Sequence, residues 1–202
     1  MGANVLLVSV NQYDFPYPVF PLGLAQLEGA LRRSGYRTRL VDWNVDAEPV
    51  ARIVRDFQPG WVGISLRNID DALIQKRETF FTRLKGLCEE VRRSCSAPIV
   101  LGGSGFSIFP ERLLELSGAD YGIQGEGEEA FPRLMETVRN GGDLGGVPGL
   151  VFRAAGVIRL NPRTETMAGS DIAAPAGVER LSRFYLERSS MMNVQTQRGC
   201  AL

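Results

Sequence analysis

The chain has 202 residues, 44% of them hydrophobic, and its 23 lysines and arginines are balanced by 23 aspartates and glutamates. This composition predicts a globular protein with a substantial core, and the neutral charge argues against nucleic acid or a membrane surface as a partner. The sequence contains no histidine, which excludes histidine-based triads, histidine metal sites and imidazole general bases. The three cysteines, Cys88, Cys95 and Cys200, form no disulfide framework and fit a reducing cytoplasm.

Strands and helices alternate along the first two thirds of the chain. Apolar runs rich in β-branched residues predict strands, and apolar residues at helical spacing predict a helix after each of them. The predicted strands are Asn4–Val10, Arg37–Asp42, Trp61–Leu66, Ala97–Leu101 and Asp120–Gln124. The helices are expected from Pro21, Val50, Phe80, Pro110 and near Phe131. Five such repeats predict an α/β fold, a Rossmann-like (flavodoxin-like) five-stranded parallel sheet in the order 2-1-3-4-5.

The pattern changes after residue 140. A glycine-rich loop leads into Leu150–Leu160, which predicts a β-hairpin turning at Ala154–Gly156. Asn161–Gly177 has the composition of a linker, and Leu181–Leu186 indicates a short helical turn before a closing strand. We therefore expect a domain over residues 1–140, a loop and β-hairpin extension over 141–162, and a linker segment over 163–202.

The carboxyl ends of the predicted strands carry the residues best suited to bind a ligand. In an open α/β sheet, ligands bind beyond these ends, near the point where the strand order reverses. Four segments converge there: Asn11–Phe20, Ser65–Asn68, Gly102–Ser107 and Gly125–Gly127. Glycines let a ligand approach the backbone, and a serine hydroxyl can hydrogen bond to a ring or an amide. Taken singly, the glycines also fit an ordinary strand-to-helix turn, and Ser65 also fits a satisfied core serine.

The glycine spacing of Gly125–Ala130 (GEGEEA) matches a dinucleotide fingerprint, but the context argues against a pyrophosphate site. The motif follows the last predicted strand, and its glutamates would bring negative charge to the helix N-terminus where a phosphate would bind. The segment after the first strand is aromatic and Pro-rich, unlike a flavodoxin phosphate loop. Ser65 also stands where a phosphoacceptor receiver needs an aspartate. The composition of this edge favours a large, uncharged and partly planar ligand.

Five stretches of the chain follow one another in the order found in cobalamin-binding radical SAM proteins. They are FPLGLAQLEGALRRSGYRTRLVDWN, VGISLRNIDD, PIVLGGSGFSIFPERLL, ADYGIQGEGEEAFPRL and NVQTQRGC. The chain resembles the N-terminal cobalamin-binding domain of this family over nearly its whole length. In the family, a partial barrel follows and opens with Cys-x3-Cys-x2-Cys, which binds the 4Fe-4S cluster that cleaves S-adenosylmethionine. Cys200 resembles the first of these metal ligands, so residues 163–202 are expected to hold the linker and the start of a truncated barrel, with the next cysteine at position 204.

The resemblance also implies which residues hold the cofactor. Ser65 would meet the nucleotide tail of cobalamin, the glycines of the loop after the fourth strand would let that tail pass, and Gly125–Gly127 would border the same slot. The implied cofactor-binding residues are Tyr13, Ser65, Leu66, Arg67, Asn68, Gly102, Gly103, Ser104, Gly105, Phe106, Gly125, Glu126 and Gly127. The best-known cobalamin domains carry Asp-x-His-x-x-Gly after the first strand, and that histidine coordinates cobalt. Here Asn11–Phe15 stands in its place, so we expect base-off cobalamin with no protein nitrogen on cobalt and with Tyr13, Leu66, Arg67 and Asn68 nearest its lower face.

In this family a deoxyadenosyl radical removes a hydrogen from the substrate, and methylcobalamin delivers a methyl group. The resemblance therefore implies a parent methyltransferase that acts on an unactivated carbon of a small-molecule or peptide substrate, although some relatives use cobalamin for ring formation or rearrangement. The fragment itself is not expected to be catalytic. Two alternatives stay open, namely a stand-alone corrinoid-binding or sensing module and a cofactor-free flavodoxin-like interaction domain.

Overall fold

The computed structural model of the chain describes residues 4–12, 17–67, 80–163, 174–176, 178–191, 193 and 195. The strands are β1 Asn4–Ser9, β2 Arg37–Asp42, β3 Trp61–Ser65, β4 Ile99–Gly102, β5 Tyr121–Ile123, β6 Leu150–Ala154 and β7 Val157–Leu160. The helices are α1 Leu22–Arg33, α2 Val50–Phe57, α3 Phe80–Ser94, α4 Pro110–Ser117, α5 Gly127–Arg139 and α6 Val178–Ser189. Single 3-10 turns occupy Phe106–Ile108 and Leu144–Gly146.

All of these strands belong to one sheet with the order β2-β1-β3-β4-β5-β6-β7. The first five strands are parallel and lie in the predicted order, which confirms the Rossmann-like α/β fold. The sheet has seven strands in the described chain rather than five, because the predicted hairpin β6–β7 pairs antiparallel with β5 and extends the sheet. Its first strand joins the core, since Leu150 and Val151 are fully buried on opposite faces of the sheet. The predicted turn is confirmed at Ala155 and Gly156, with φ of 50° and 78°.

Helices cover both faces of the sheet. Helices α2, α3 and α4 pack on one face, here called the α3 face, against the side chains of Leu6, Val8, Val62, Ile64, Ile99 and Leu101. Helices α1, α5 and α6 pack on the other, the α5 face, against Val5, Leu7, Trp61 and Val100. Because successive residues of a strand point to opposite faces, each central strand supplies alternate residues to the two cores.

Helix α6 is longer than the short turn expected over Leu181–Leu186. It has 12 residues, of which Leu181 and Tyr185 are buried in the core of the α5 face. With only two buried residues four positions apart, the sequence gives a weak helical period and hides the length of the helix. The expected closing strand, most of the linker and Cys200 lie outside the described residues. Within the described part of the chain, no helix is long and apolar enough to span a membrane.

Candidate functional site

On the α5 face, the central strands end in a row of very small side chains. Ser9 at the end of β1 pairs in register with Ser65 of β3, which in turn pairs with Gly102 of β4. One row earlier, Gly63 stands between Leu7 and Val100. Hydroxyls and hydrogens therefore replace the aliphatic side chains that elsewhere fill the space between the sheet and its helices.

A cavity of about 750 Å³ occupies the space above this row, between the sheet and the first turns of α1 and α5. That volume lies within the range of about 300–1,000 Å³ typical of ligand sites. The predicted residues that line the cavity are Ser65, Arg67, Gly102, Gly103, Ser104, Gly125, Glu126 and Gly127. The cavity thus lies at the carboxyl edge of the strands, where an open α/β sheet binds its ligands.

The two serine hydroxyls at the floor are available to a ligand. Ser9 is only 5% exposed, and both Ser9 and Ser65 line the cavity. Because both serines line the cavity, their hydroxyls can donate to or accept from a polar atom of a ligand.

The glycines at the floor and in the loop above it do different things. A Cβ atom on Gly102 would have only the carbonyl oxygen of Ile123 nearby, at 3.8 Å, so this position opens onto the cavity. Gly103 has φ of +97°, and a Cβ there would lie 2.5 Å from the carbonyl oxygen of Leu66. A Cβ atom on Gly105 would lie 2.8 Å from the carbonyl oxygen of Arg67. Gly102 therefore leaves room for a ligand, whereas Gly103 and Gly105 let two loops of the protein come together.

Hydrogen bonds hold those two loops together. The carbonyl oxygen of Leu66 accepts from the amides of Gly105 at 3.0 Å and Phe106 at 3.3 Å, and the Ser104 hydroxyl donates to the Arg67 carbonyl at 3.0 Å. The ring of Phe106 is fully buried over Gly122, where any Cβ would collide with it. Leu66, Gly105 and Phe106 thus do not line the cavity, and their role as cofactor-binding residues stays a prediction from the resemblance.

Three other predicted cofactor-binding residues are Tyr13, Asn68 and Glu126. Tyr13 and Asn68 lie outside the described residues. Glu126 precedes the first turn of α5, Glu128 and Glu129 lie within that turn, and Glu128 is 8% exposed. Because Glu126 and Glu128 line the cavity, carboxylates stand at the N-terminus of α5, as expected from the argument against a pyrophosphate site.

Several lining residues were not expected from the sequence. They are Ser9, Gln26, Gly63 and Phe131, whereas Asn11 and Phe20, which also line the cavity, belong to a segment that the sequence places at this edge. Alternation along NVLLVSV puts Ser9 on the same face as Val5 and Leu7, and a polar residue ending a central strand on a buried face is a usable signal. The role of Gly63 is visible only in three dimensions, because a Cβ there would lie 2.8 Å from side-chain atoms of both Leu7 and Phe131.

The row of Ser9 and Ser65 continues onto β2 with a buried acid. Asp42 pairs in register with Ser9 and is fully buried. Burial raises the pKa of the Asp42 carboxyl above its usual 3.8, although the Asn44 amide and the Tyr185 hydroxyl both donate to it. Burial, followed by the neighbouring Asp42 carboxylate, also raises the pKa of Tyr185 well above its usual range, so the phenol stays protonated and donates.

The described cysteines have a structural role. Cys88 is 1% exposed in the core of the α3 face, and Cys95 packs against the same core. Burial raises the pKa of the Cys88 thiol to about 12, so it stays unreactive near neutral pH. Among the described residues, no group of three or more histidine, cysteine, aspartate or glutamate side chains could hold a metal ion.

The fold and the position of the cavity agree with a known domain family. Residues 9–135 match the family described as B12 binding domain. This match covers more than half of the chain, and the chain belongs to the B12-binding domain family.

Individual relatives are more specific. Tryptophan 2-C-methyltransferase of Streptomyces laurentii is 33% identical over 167 residues, which are 79% of this chain and 28% of that enzyme. The radical S-adenosylmethionine methyltransferase TsrM from Kitasatospora setae, solved with cobalamin and a 4Fe-4S cluster bound, superimposes with a TM-score of 0.69 at 30% identity, covering 80% of this chain and 31% of that one. The cobalamin-dependent S-adenosylmethionine radical enzyme OxsB, with a TM-score of 0.73 at 21% identity over 91% of this chain and 25% of that one, supports the fold. The chain spans less than a third of the length of each of these relatives.

Proposed function

We propose that this chain holds cobalamin in the cavity of the α5 face, as the cofactor domain of a radical S-adenosylmethionine methyltransferase. The observation that carries the proposal is the row of small residues at the floor of the cavity, formed by Ser9, Ser65 and the open position at Gly102. A B12-binding fold with this floor has both the room and the hydrogen-bond donors that a flat nucleotide base needs.

The residues present fit the nucleotide tail of a base-off corrinoid. The hydroxyls of Ser9 and Ser65 would donate to the tail, and Gly102 would let it lie against the strand ends. Arg67 lines the cavity, and together with Tyr13, Leu66 and Asn68 it stays proposed for the lower face of the corrin. Because the chain has no histidine, cobalt would receive no imidazole from this protein. When bound, cobalamin would supply the methyl group that the parent enzyme transfers.

The activity of the parent rests on the relatives. A methyltransferase that acts on tryptophan and a structure that holds cobalamin together with a 4Fe-4S cluster are both about 30% identical to this chain. We therefore assign the parent to methyl transfer onto an unactivated carbon of a small-molecule or peptide substrate, with S-adenosylmethionine and a 4Fe-4S cluster as further cofactors. Cys200 would be the first cluster ligand, and the gene is expected to encode two further cysteines, beginning at position 204. The division into 1–140, 141–162 and 163–202 and a location in the reducing cytoplasm belong to the same proposal.

Cobalamin retention by the purified chain tests the proposal directly. The protein is mixed with hydroxocobalamin, desalted, and its bound corrinoid is measured by absorbance, with the dissociation constant taken from a titration. Gly102→Leu should place a side chain in the cavity and weaken binding at least tenfold, because the Cβ position there opens onto the floor. Gly86→Leu is the matched control, since a Cβ on this exposed glycine of α3 meets nothing within 4 Å.

Two results would contradict the proposal. One is an absence of corrinoid retention by the wild-type chain, and the other is retention by Gly102→Leu that equals retention by Gly86→Leu. Gly103 is unsuitable for the same experiment, because its φ of +97° and its contact with the Leu66 carbonyl would make a side chain there disturb the fold.

A further inference from the structure

Helix α6 is packed on the sheet near the cavity edge by two buried side chains, one of which is Tyr185. Tyr185 is 1% exposed and lies in the core of the α5 face. Most of the helix around it is exposed, and Leu181 is its other buried residue. The position of α6 is therefore determined by the contacts of Tyr185 and Leu181, together with an ion pair between Arg180 and Asp46 at 2.5 Å.

The hydroxyl of Tyr185 is part of a chain of hydrogen bonds that leads to the rim of the cavity. It donates to Oδ2 of Asp42 at 2.8 Å and accepts from Nδ2 of Asn44 at 3.1 Å. The same Asn44 amide donates to the carbonyl oxygen of Asn11 at 2.8 Å. The side-chain oxygen of Asn11 then accepts from the backbone amide of Arg67 at 3.2 Å.

This chain joins the segments that follow β1, β2 and β3 to one another and to α6. Asn11 and Arg67, at its far end, both line the cavity. The aromatic ring of Tyr185 makes a second connection, since it packs edge-on against Phe20 with ring centroids 5.6 Å apart. Phe20 is also a cavity-lining residue. Tyr185 itself does not line the cavity, so it can act on a ligand only through these neighbours.

We infer that Tyr185 is a positioning residue that couples the docking of α6 to the shape of the cavity mouth. When α6 is docked, the Tyr185 hydroxyl accepts a hydrogen bond from the Asn44 side chain, and Asn44 also bonds to the Asn11 carbonyl. The Asn11 side chain in turn fixes the backbone amide of Arg67 at the rim. Because coupling between two binding events is reciprocal, a ligand that needs this rim geometry must in turn stabilise the docked helix. The identity of that ligand as cobalamin rests on the proposed function, whereas the coupling itself rests on the hydrogen bonds.

The test uses Tyr185→Phe, which keeps the ring against Phe20 and removes only the hydroxyl. Cobalamin affinity should fall about fivefold, because the change removes both hydrogen bonds of the hydroxyl, to Asp42 and from Asn44, and part of that loss reaches the rim. Hydrogen exchange at the Arg67 amide should become faster, while amides of α3 and α4 keep their rates. A purely structural role for Tyr185 would leave the Arg67 amide no more affected than any other.

Two further variants complete the design. Asn44→Ala breaks the link to Asn11 but leaves the Tyr185–Asp42 bond, and it should reproduce both effects. Ser182→Ala is the matched control, because this α6 hydroxyl donates only to the carbonyl of Val178 in its own helix, and it should change neither.

The possible outcomes separate this inference from the proposed function. If Tyr185→Phe binds cobalamin as tightly as wild type and leaves the Arg67 amide unchanged, the positioning role is overturned. If the wild type retains no cobalamin while Tyr185→Phe still accelerates exchange at Arg67, the coupling stands and the ligand assignment is wrong.

Discussion

The two faces of the sheet are built from the same strands and are filled in opposite ways. On the α3 face, Val8, Ile64 and Leu101 near the strand ends are buried among the side chains of three helices. On the α5 face, the adjacent residues in the strands are Ser9, Ser65 and Gly102. The cavity therefore arises from residue size at alternate positions of three strands, and no distortion of the sheet is needed to make it.

This contrast separates stability from binding along a single strand. Leu101 and Gly102 are adjacent in β4. The side chain of Leu101 is buried in the core of the α3 face, whereas Gly102 leaves space at the floor of the cavity. Substitutions on the α3 face should change the free energy of unfolding, and substitutions at the floor should change ligand affinity.

The largest effect is expected on the packed face. Leu101→Ala removes a fully buried side chain, and it should lower the free energy of unfolding by about 2–5 kcal/mol through lost burial and an unfilled cavity. Urea denaturation measures this change. The folded fraction should bind cobalamin with nearly wild-type affinity, and a loss of affinity as large as that of Gly102→Leu would show that the two faces are not independent.

Removing the floor hydroxyls should give the reverse pattern. Ser9→Ala and Ser65→Ala should each weaken cobalamin binding by about twofold to tenfold, since each removes one hydrogen bond to the ligand. The free energy of unfolding should stay within about 0.5 kcal/mol of wild type, because each change deletes a hydroxyl at the cavity and leaves the packed core unchanged. Titration with hydroxocobalamin and urea denaturation give the two values. A marked loss of stability with unchanged affinity would mean that these serines serve the fold.

Asp42, at the β2 end of the same row, should make the free energy of unfolding depend on pH. Because the pKa of Asp42 is raised in the folded state, the unfolded chain releases this proton first as pH increases above 3.8. The stabilisation that wild type has relative to Asp42→Asn should therefore be greatest at low pH, fall as pH rises through the folded pKa, and then level off. Denaturation of both proteins at pH 4, 5, 6 and 7 gives the difference. A constant or rising difference would contradict a raised pKa. Burial and the Asp46 carboxylate raise the pKa of Asp42, whereas Asn44, Tyr185 and Arg180 lower it.

The smallest expected effect is the absence of a splitting in the electron paramagnetic resonance spectrum of the bound cofactor. With no histidine in the chain, and with the nucleotide base held in the cavity as proposed, cobalt would receive no imidazole or benzimidazole nitrogen. The electron paramagnetic resonance spectrum of the Co(II) form should then lack nitrogen superhyperfine splitting. Free cob(II)alamin at neutral pH, whose own base is coordinated, is the reference for a split signal.

Periodicity was sufficient for the parallel part of the sheet, because the strands between β1 and β5 have distinct apolar runs and their helices have clear apolar stripes. It was insufficient for the hairpin, since LVFRAAGVIRL predicts two paired strands but not the edge they join. The glycine loop was recognised as part of the site, yet composition could not separate Gly102 from Gly103 and Gly105. That distinction depends on strand register and on φ, which arise only when β3 and β4 pair. Ser9 was missed for a similar reason, because its importance comes from Ser65, 56 positions away in the chain.

The burial of Phe106 over Gly122 has a consequence for the entropy of binding. Fixing the backbone of a flexible residue costs about 1–2 kcal/mol, and a glycine-rich loop has more freedom to lose than most. Since Phe106 and the Leu66 carbonyl hold Gly103–Gly105 in place within the folded chain, that ordering occurs during folding and is not left for the ligand to bring about. A loop of glycines, often the most adaptable part of a site, is here one of its most preorganised parts.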